Sequence, residues 1–367
     1  MIIALVALAA ADLVVGVSND AVNFLNSALG SKAISFRTIM IVASLGIAFG
    51  AVFSSGMMEV ARKGIFVPGE FYFDEIMIIF MAVMITDILL LDFFNTLGMP
   101  TSTTVSIVFE LLGSAVAIAL IKISEQSGSF TELVTYINTE KATEIILGIL
   151  LSVVVAFTVG AIVQYVSRVL LSFDFEKKAK WTGALFGGIA LTAITYFIFI
   201  KGLKGTEYYA QISPLIEGRT FLIVLISLVI WTLGSYLLMI LAKVNIYKLI
   251  ILVGTFALAL AFAGNDLVNF IGVPIAAWQS YEAWVGSGVP ATEFAMDALG
   301  KKVPSPTLFL VVAGLIMVVT LWLSSKARNV VKTSLDLSSQ EDIKEKFEPH
   351  FMSRFLVKSS LMISQYT

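Results

Sequence analysis

The sequence predicts an all-α polytopic membrane protein with inverted repeats and discontinuous helices. Three observations carry this reading. Apolar residues make up 58% of the 367 residues, charged residues only 14%, and mean hydropathy is +0.94. Soluble domains carry about 25% charge, so lipid is the solvent most of this surface meets. Nine stretches are apolar over roughly the 20 residues that a membrane span needs, and a polar hexapeptide occurs twice within them.

The nine predicted spans are 2–28, 38–57, 75–97, 102–121, 144–167, 182–200, 219–242, 247–281 and 305–325. The run starting at Met1 reads as a first span and not as a removed signal peptide, because no basic stretch precedes its apolar core. Lys and Arg are slightly in excess on the side that an N-out topology makes cytoplasmic. Net charge is −2, so there is no basic footprint for nucleic acid. Cysteine is absent and the single histidine, His350, lies in a polar tail, which excludes thiol chemistry and a histidine site within the membrane. Gly46, Gly50 and Gly56, and Gly183, Gly187 and Gly188, are expected to permit close helix packing.

The first and eighth spans carry polar residues at mid-depth. Asn19-Asp20-Ala21-Val22-Asn23-Phe24 returns 246 residues later as Asn265-Asp266-Leu267-Val268-Asn269-Phe270, with five of six positions identical. An odd number of crossings separates the copies, so they enter the bilayer from opposite sides. Inverted repeats with interrupted helices point to a secondary transporter with its site near the midplane. The division expected is a transport domain over 1–325, with repeats at about 1–121 and 247–325 and linking spans at about 142–242. Residues 326–367 are expected to form a cytoplasmic amphipathic tail.

The residue types fit a carrier. An Asp at membrane depth is costly and functional by default, whereas a lone Asn there is commonly interhelical glue. A broken helix would offer free N–H groups to an anion, with Ser18 as the cap of its second half. Asn19 and Asn23, and likewise Asn265 and Asn269, lie four apart and share a helical face. With Asp20 and Asp266 they supply oxygens suited to a hard cation such as sodium. The run Pro100-Thr101-Ser102-Thr103-Thr104 opens the fourth span with four hydroxyls, which offer donors to an anion and oxygens to a cation. Its plain alternative is a capped helix start. Glu59, Asp92 and Glu110 are candidate supporting acids around such a site, while Asp12 and Asp87 are further acids in or near the spans.

Laid out this way, the chain resembles the inorganic phosphate transporter family. That family carries a Gly-Ala-Asn-Asp-x-x-Asn box once per half, matched at Val17 to Asn23 and Ala263 to Asn269. It also carries Pro-x-Ser-Thr-Thr, matched at Pro100 to Thr104. Met58 to Gly64 resembles its acidic, Arg-Lys-Gly-containing segment. The resemblance implies a non-enzymatic secondary importer of inorganic phosphate, multi-pass in the cell (inner) membrane, with sodium as coupling ion and no covalent cofactor. It implies phosphate contacts at Ser18, Asp20, Ser102, Thr103, Thr104, Asp266 and Asn269. Sodium contacts are implied at Asn19, Asp20, Asn23, Thr101, Asn265, Asp266 and Asn269. The bilayer is a partner, nucleic acid is not, and a homo-oligomer is compatible with the family. Three departures stand out: Val17-Ser18 replaces the usual Gly-Ala, Val105 stands where many members have His, and the second half has no clear hydroxyl box or counterparts of spans three and four. Proton coupling, a metal-phosphate cargo and a sulfate cargo are the alternatives within this fold. An intramembrane aspartyl protease is disfavoured, because its dyad does not call for Asn on both sides of each Asp. A channel is disfavoured by the lack of a filter-like stretch.

Overall fold

A computed structural model describes residues 1–54, 65–171, 180–202, 207–216, 218–300, 306–338 and 351–366. Glu59, Gly56 and the Arg-Lys-Gly segment lie outside the described residues, as does His350. The chain forms helices α1 (Ile2–Gly30), α2 (Phe36–Val52), α3 (Phe73–Leu97), α4 (Thr103–Glu125), α5 (Leu133–Tyr136), α6 (Thr139–Leu171), α7 (Lys180–Tyr196), α8 (Glu207–Ile216), α9 (Thr220–Ile240), α10 (Ile246–Ser287), α11 (Thr307–Leu323), α12 (Ser325–Ser338) and α13 (Phe351–Tyr366). Each of the nine predicted spans falls on one of them. Among the described residues seven helices are long and apolar enough to cross a membrane, or eight if α11 and α12, bent by 66°, count as one. The polytopic all-α reading holds; α2, with 17 residues, is the short one.

Local chemistry sets the helix ends. The Ser35 hydroxyl caps α2 by accepting from the Thr38 N–H, and Asn245 caps α10 by accepting from the N–H groups of Tyr247 and Lys248. The α3 helix stops at Gly98, whose φ of 68° and ψ of 32° place it in the left-handed region that glycine enters at no Cβ cost. That stop is what turns the chain back toward α1. The α6 helix buries only Ala142, so its long apolar surface is turned outward, where a bilayer would cover it.

The discontinuities are not where the sequence reading put them. The α1 helix runs unbroken through Ser18 to Asn23, and α10 runs unbroken through Asn265 to Asn269. The reason is local satisfaction. In hydrocarbon every backbone N–H and C=O must be paired within the protein, and the box side chains find partners without opening the helix. Ser18 donates back to the Val14 carbonyl at 2.6 Å, as a mid-helix serine and not as a cap. Among the described residues the discontinuity is the 66° bend at Ser324 between α11 and α12.

Two apolar cores meet along α1 and α10. One joins α1, α2, α10, α11 and α12. The other joins the start of α1, α3, α4 and the end of α10 with residues 65–73 and 296–299. The body extends past residue 325: Ala327, Val330 and Val331 of α12 are buried in the first core, and Asn26 of α1 donates to Ser334 at 2.9 Å. Beyond it α13 lies open, with Phe351, Phe355 and Leu356 exposed.

The α2 and α10 helices approach closely because two glycines remove the side chain from the contact. A Cβ built on Gly46 would sit 2.8 Å from the Ala259 Cβ, and one on Gly50 would sit 2.9 Å from the Ala263 Cβ. Matched steps along both helices mean that they run parallel. In α1 and α10 the pairing runs the other way. Gly16 faces Phe270 and Phe24 stacks on Phe262 with ring centroids 5.1 Å apart, so the helices are antiparallel and residue 20 comes opposite residue 266. Gly50→Val should therefore lower thermal stability in detergent by about 1–3 kcal/mol through overpacking, and Gly148→Val, where a Cβ meets open space, should leave it nearly unchanged; equal melting temperatures would discount the α2–α10 seam.

Candidate functional site

The antiparallel crossing brings both Asn-Asp boxes to one level, and the 98–104 segment lies across them. After Gly98 the chain is held by Asn19. Its amide donates to Asn95 Oδ1 at 2.9 Å and to the Met99 carbonyl at 3.1 Å, and its Oδ1 accepts from the Thr101 N–H at 2.8 Å. Asn95 in turn donates to the Val15 carbonyl at 2.7 Å. Asn19 and Asn95 are both fully buried. Asn19 is therefore occupied as a clasp between α1 and the α3–α4 connection, while Asn23, one turn further on, lines the cavity.

The clasp sets the start of α4. Ser102 is the N-cap, its hydroxyl accepting from the Val105 N–H at 3.3 Å. The next two hydroxyls reach the two boxes. Thr103 donates to Asp20 Oδ2 at 2.8 Å, and Thr104 donates to Asp266 Oδ1 at 3.4 Å. Asn23 donates to Asp20 Oδ1 at 3.2 Å. Asn269 donates to Thr104 Oγ1 at 3.0 Å and lies 3.4 Å from Asp266 Oδ1. One helix N-terminus thus bridges the duplicated carboxylates.

A cavity of about 420 Å³ opens here, lined by Asp20, Asn23, Pro100, Thr101, Ser102, Thr103, Thr104 and Asp266. Among these residues there is no Lys, Arg or His. Its chemistry is two carboxylates, amide and hydroxyl groups, and the free N–H groups of the first turn of α4. Among the described lining residues nothing positive offsets the two carboxylates.

The predicted site residues thus divide. Asp20, Asn23, Asp266, Asn269 and Thr101 to Thr104 converge. Asn19 positions the loop. Asn265, the counterpart of Asn19, is exposed, and among the described residues no second hydroxyl segment lies on it. Ser18 turns away from the cavity and meets Ser324 at 2.7 Å. Asp92 pairs with Lys326 and ties α3 to α12 at a half-exposed position. Glu110 is bonded by Ser106 at 2.6 Å, on another face of α4. Sequence reasoning missed Asn95, whose signal was a further Asn in an apolar span just before the hydroxyl run, and Ser324, which had none.

An antiparallel helical membrane scaffold with a polar cavity at the crossing of two repeated boxes defines a membrane carrier. The phosphate transporter family model matches residues 16–334, and the chain belongs to that family. Among curated relatives, "Putative phosphate permease TK2061" of Thermococcus kodakarensis is 26% identical over 313 residues, covering 81% of this chain and 68% of that protein. "Putative phosphate permease PF1020" of Pyrococcus furiosus is 28% identical over 311 residues, covering 81% and 67%. A solved structure, "The sodium-dependent phosphate transporter", superposes with a TM-score of 0.55 over 92% of this chain and 90% of its own, at 19% identity, and supports the fold.

Breaking the clasp tests the geometry. Asn95→Ala should leave the Asn19 amide and the Val15 carbonyl short of a partner, which costs about 1–3 kcal/mol for buried polar groups, and should expose the 98–102 segment to limited proteolysis. Asn265→Ala should do neither. Identical proteolysis patterns for Asn95→Ala and wild type would show that the loop holds without the clasp.

Proposed function

We propose that this chain carries inorganic phosphate across the cell (inner) membrane together with sodium ions, through the cavity between Asp20, Asp266 and the N-terminus of α4. The observation that carries this reading is the composition of that cavity: two carboxylates and a helix N-terminus with no cationic side chain between them. Phosphate suits the first-turn N–H groups of α4 and the hydroxyls of Ser102, Thr103 and Thr104. Beside two carboxylates it would be repelled. Two unit charges 4 Å apart interact by about 4 kcal/mol at an effective dielectric constant of 20, so cations must enter with it. Sodium takes oxygen ligands. The amide nitrogens of Asn23 and Asn269 are committed to the carboxylates and to Thr104, which leaves their amide oxygens, with Asp20, Asp266 and Thr101, to face a cation.

The names of similar proteins point the same way. A "Sodium-dependent phosphate transporter" of Plasmodium falciparum is 28% identical over 172 residues, 45% of this chain and 24% of that one. The antiparallel α1–α10 crossing supports two inverted repeats about an axis at the Asp20–Asp266 level, with rocking of one against the other as the transport step. Asn19 serves the fold in this account, and Ser18 and Asn265 lie outside the ligand set.

Uptake by proteoliposomes tests the roles. Asp20→Asn and Asp266→Asn should each abolish sodium-driven phosphate uptake with expression retained. Thr104→Ala should weaken phosphate binding about tenfold to a hundredfold, the equivalent of about 1.5–3 kcal/mol for a bond to a charged group. Sodium should raise phosphate affinity, and phosphate should raise sodium affinity by the same factor. Phosphate binding indifferent to sodium at constant ionic strength, or equal competition by sulfate, would remove the coupling ion or the cargo from this assignment.

A further inference from the structure

A second polar cluster lies away from the phosphate cavity, between α1, α3 and α4. Asp12 and Asp87 are both 0% exposed, and Glu110 is half-buried beside them. Asp87 stands in the middle, its carboxyl close to the carboxyls of Asp12 and Glu110. Ser106 lies 2.7 Å from Asp87 Oδ1 and 2.6 Å from Glu110 Oε1. Among the described residues no donor gives a hydrogen bond to either oxygen of Asp12, and the same holds for Asp87 Oδ2 and Glu110 Oε2.

Counting hydrogens settles what the cluster lacks. The Ser106 hydroxyl has one hydrogen and faces two carboxyl oxygens at bonding distance, so it satisfies one of them. The contact between Asp12 and Asp87 joins two acceptors unless one carries a hydrogen. Among the described residues no cationic side chain compensates: the other charged group acting on the cluster is the acid Asp20 of α1, while Lys326 is engaged by Asp92. Among the described residues no three acidic or histidine side chains converge as a metal shell would require. A proton needs only two oxygens at hydrogen-bonding distance, which is what the geometry provides.

We infer that Asp12, Asp87, Ser106 and Glu110 form a proton-binding site, with protonated Asp12 donating to Asp87, protonated Glu110 donating to Ser106, and Ser106 donating to an ionised Asp87. The Asp12–Asp87, Glu110–Ser106 and Ser106–Asp87 contacts then each have one donor and one acceptor. The site has a route for exchange. Ser106 and Glu110 line a cavity of about 600 Å³ on the outer face of α4, and Thr101 and Ser102 line both that cavity and the phosphate cavity. Protons held here bias the same three helices that place Asp20 and Thr103. The chain would thus bind protons as well as its cargo and coupling ion, and the inference does not depend on phosphate being the cargo.

Infrared spectroscopy of the full purified chain reads protonated carboxyls directly. At neutral pH without sodium, the wild type should show carboxylic-acid carbonyl bands that shift in heavy water. Asp12→Asn and Glu110→Gln should each remove one component. Ser106→Ala should move the Glu110 component in frequency by taking away its acceptor. Asp20→Asn and Asp266→Asn should leave these components in place, which separates this site from the phosphate cavity. A wild-type spectrum with all carboxyls ionised at neutral pH would overturn the inference without recourse to any variant. So would bands that vanish when sodium replaces choline, since that outcome makes the cluster a metal-cation site.

Discussion

The bidentate grip of Asn19 on the α3–α4 connection is the interaction on which the rest of the site depends. Its amide and carbonyl together hold Asn95, Met99 and Thr101. In water such bonds would exchange with solvent and contribute little. Asn19 and Asn95 are fully buried, so water does not compete for these bonds, and the clasp holds the segment from Gly98 to Ser102 in place. Because that segment ends in the cap of α4, the same grip decides where the helix N-terminus and the Thr103 and Thr104 hydroxyls fall.

The second constraint is how closely the helices can approach. Gly46 and Gly50 let α10 lie directly on α2, and the antiparallel stacking of Phe24 on Phe262 registers α10 against α1. Registration matters more than strength here. A slip of one turn would separate Asp20 from Asp266 by several ångströms and leave α4 able to serve only one of them. Lipid gives helices no hydrophobic reason to choose one register over another, so small-residue contact and side-chain hydrogen bonds must choose it.

Electrostatics divide the polar interior in two. Around the boxes, hydroxyl and amide donors surround two carboxylates and leave an open cavity, an arrangement suited to ions that arrive and depart. Around Asp87, three carboxyls and one hydroxyl press together with too few hydrogens, an arrangement suited to protons. Both sets share α1 and α4, so any change in the tilt of α4 reaches both.

The sequence alone determined the all-α membrane class, the positions of the helices and the duplicated boxes, because hydropathy over 20 residues and a repeated hexapeptide are properties of a linear string. It also pointed to Asp20, Asp266 and the hydroxyl run, since an acid in an apolar span declares its own cost. It misjudged the boxes as breaks. Whether a polar residue interrupts a helix depends on what its side chain can bond to, and the partners of Ser18 and Asn19 are Ser324, Asn95 and Met99, distant in the chain. For the same reason only the tertiary structure separated Asn19 the clasp from Asn23 at the cavity, moved Asp92 into an ion pair with Lys326, and brought Asp12, Asp87 and Glu110 together. Periodicity records which face a residue occupies; which helix meets that face is decided by packing.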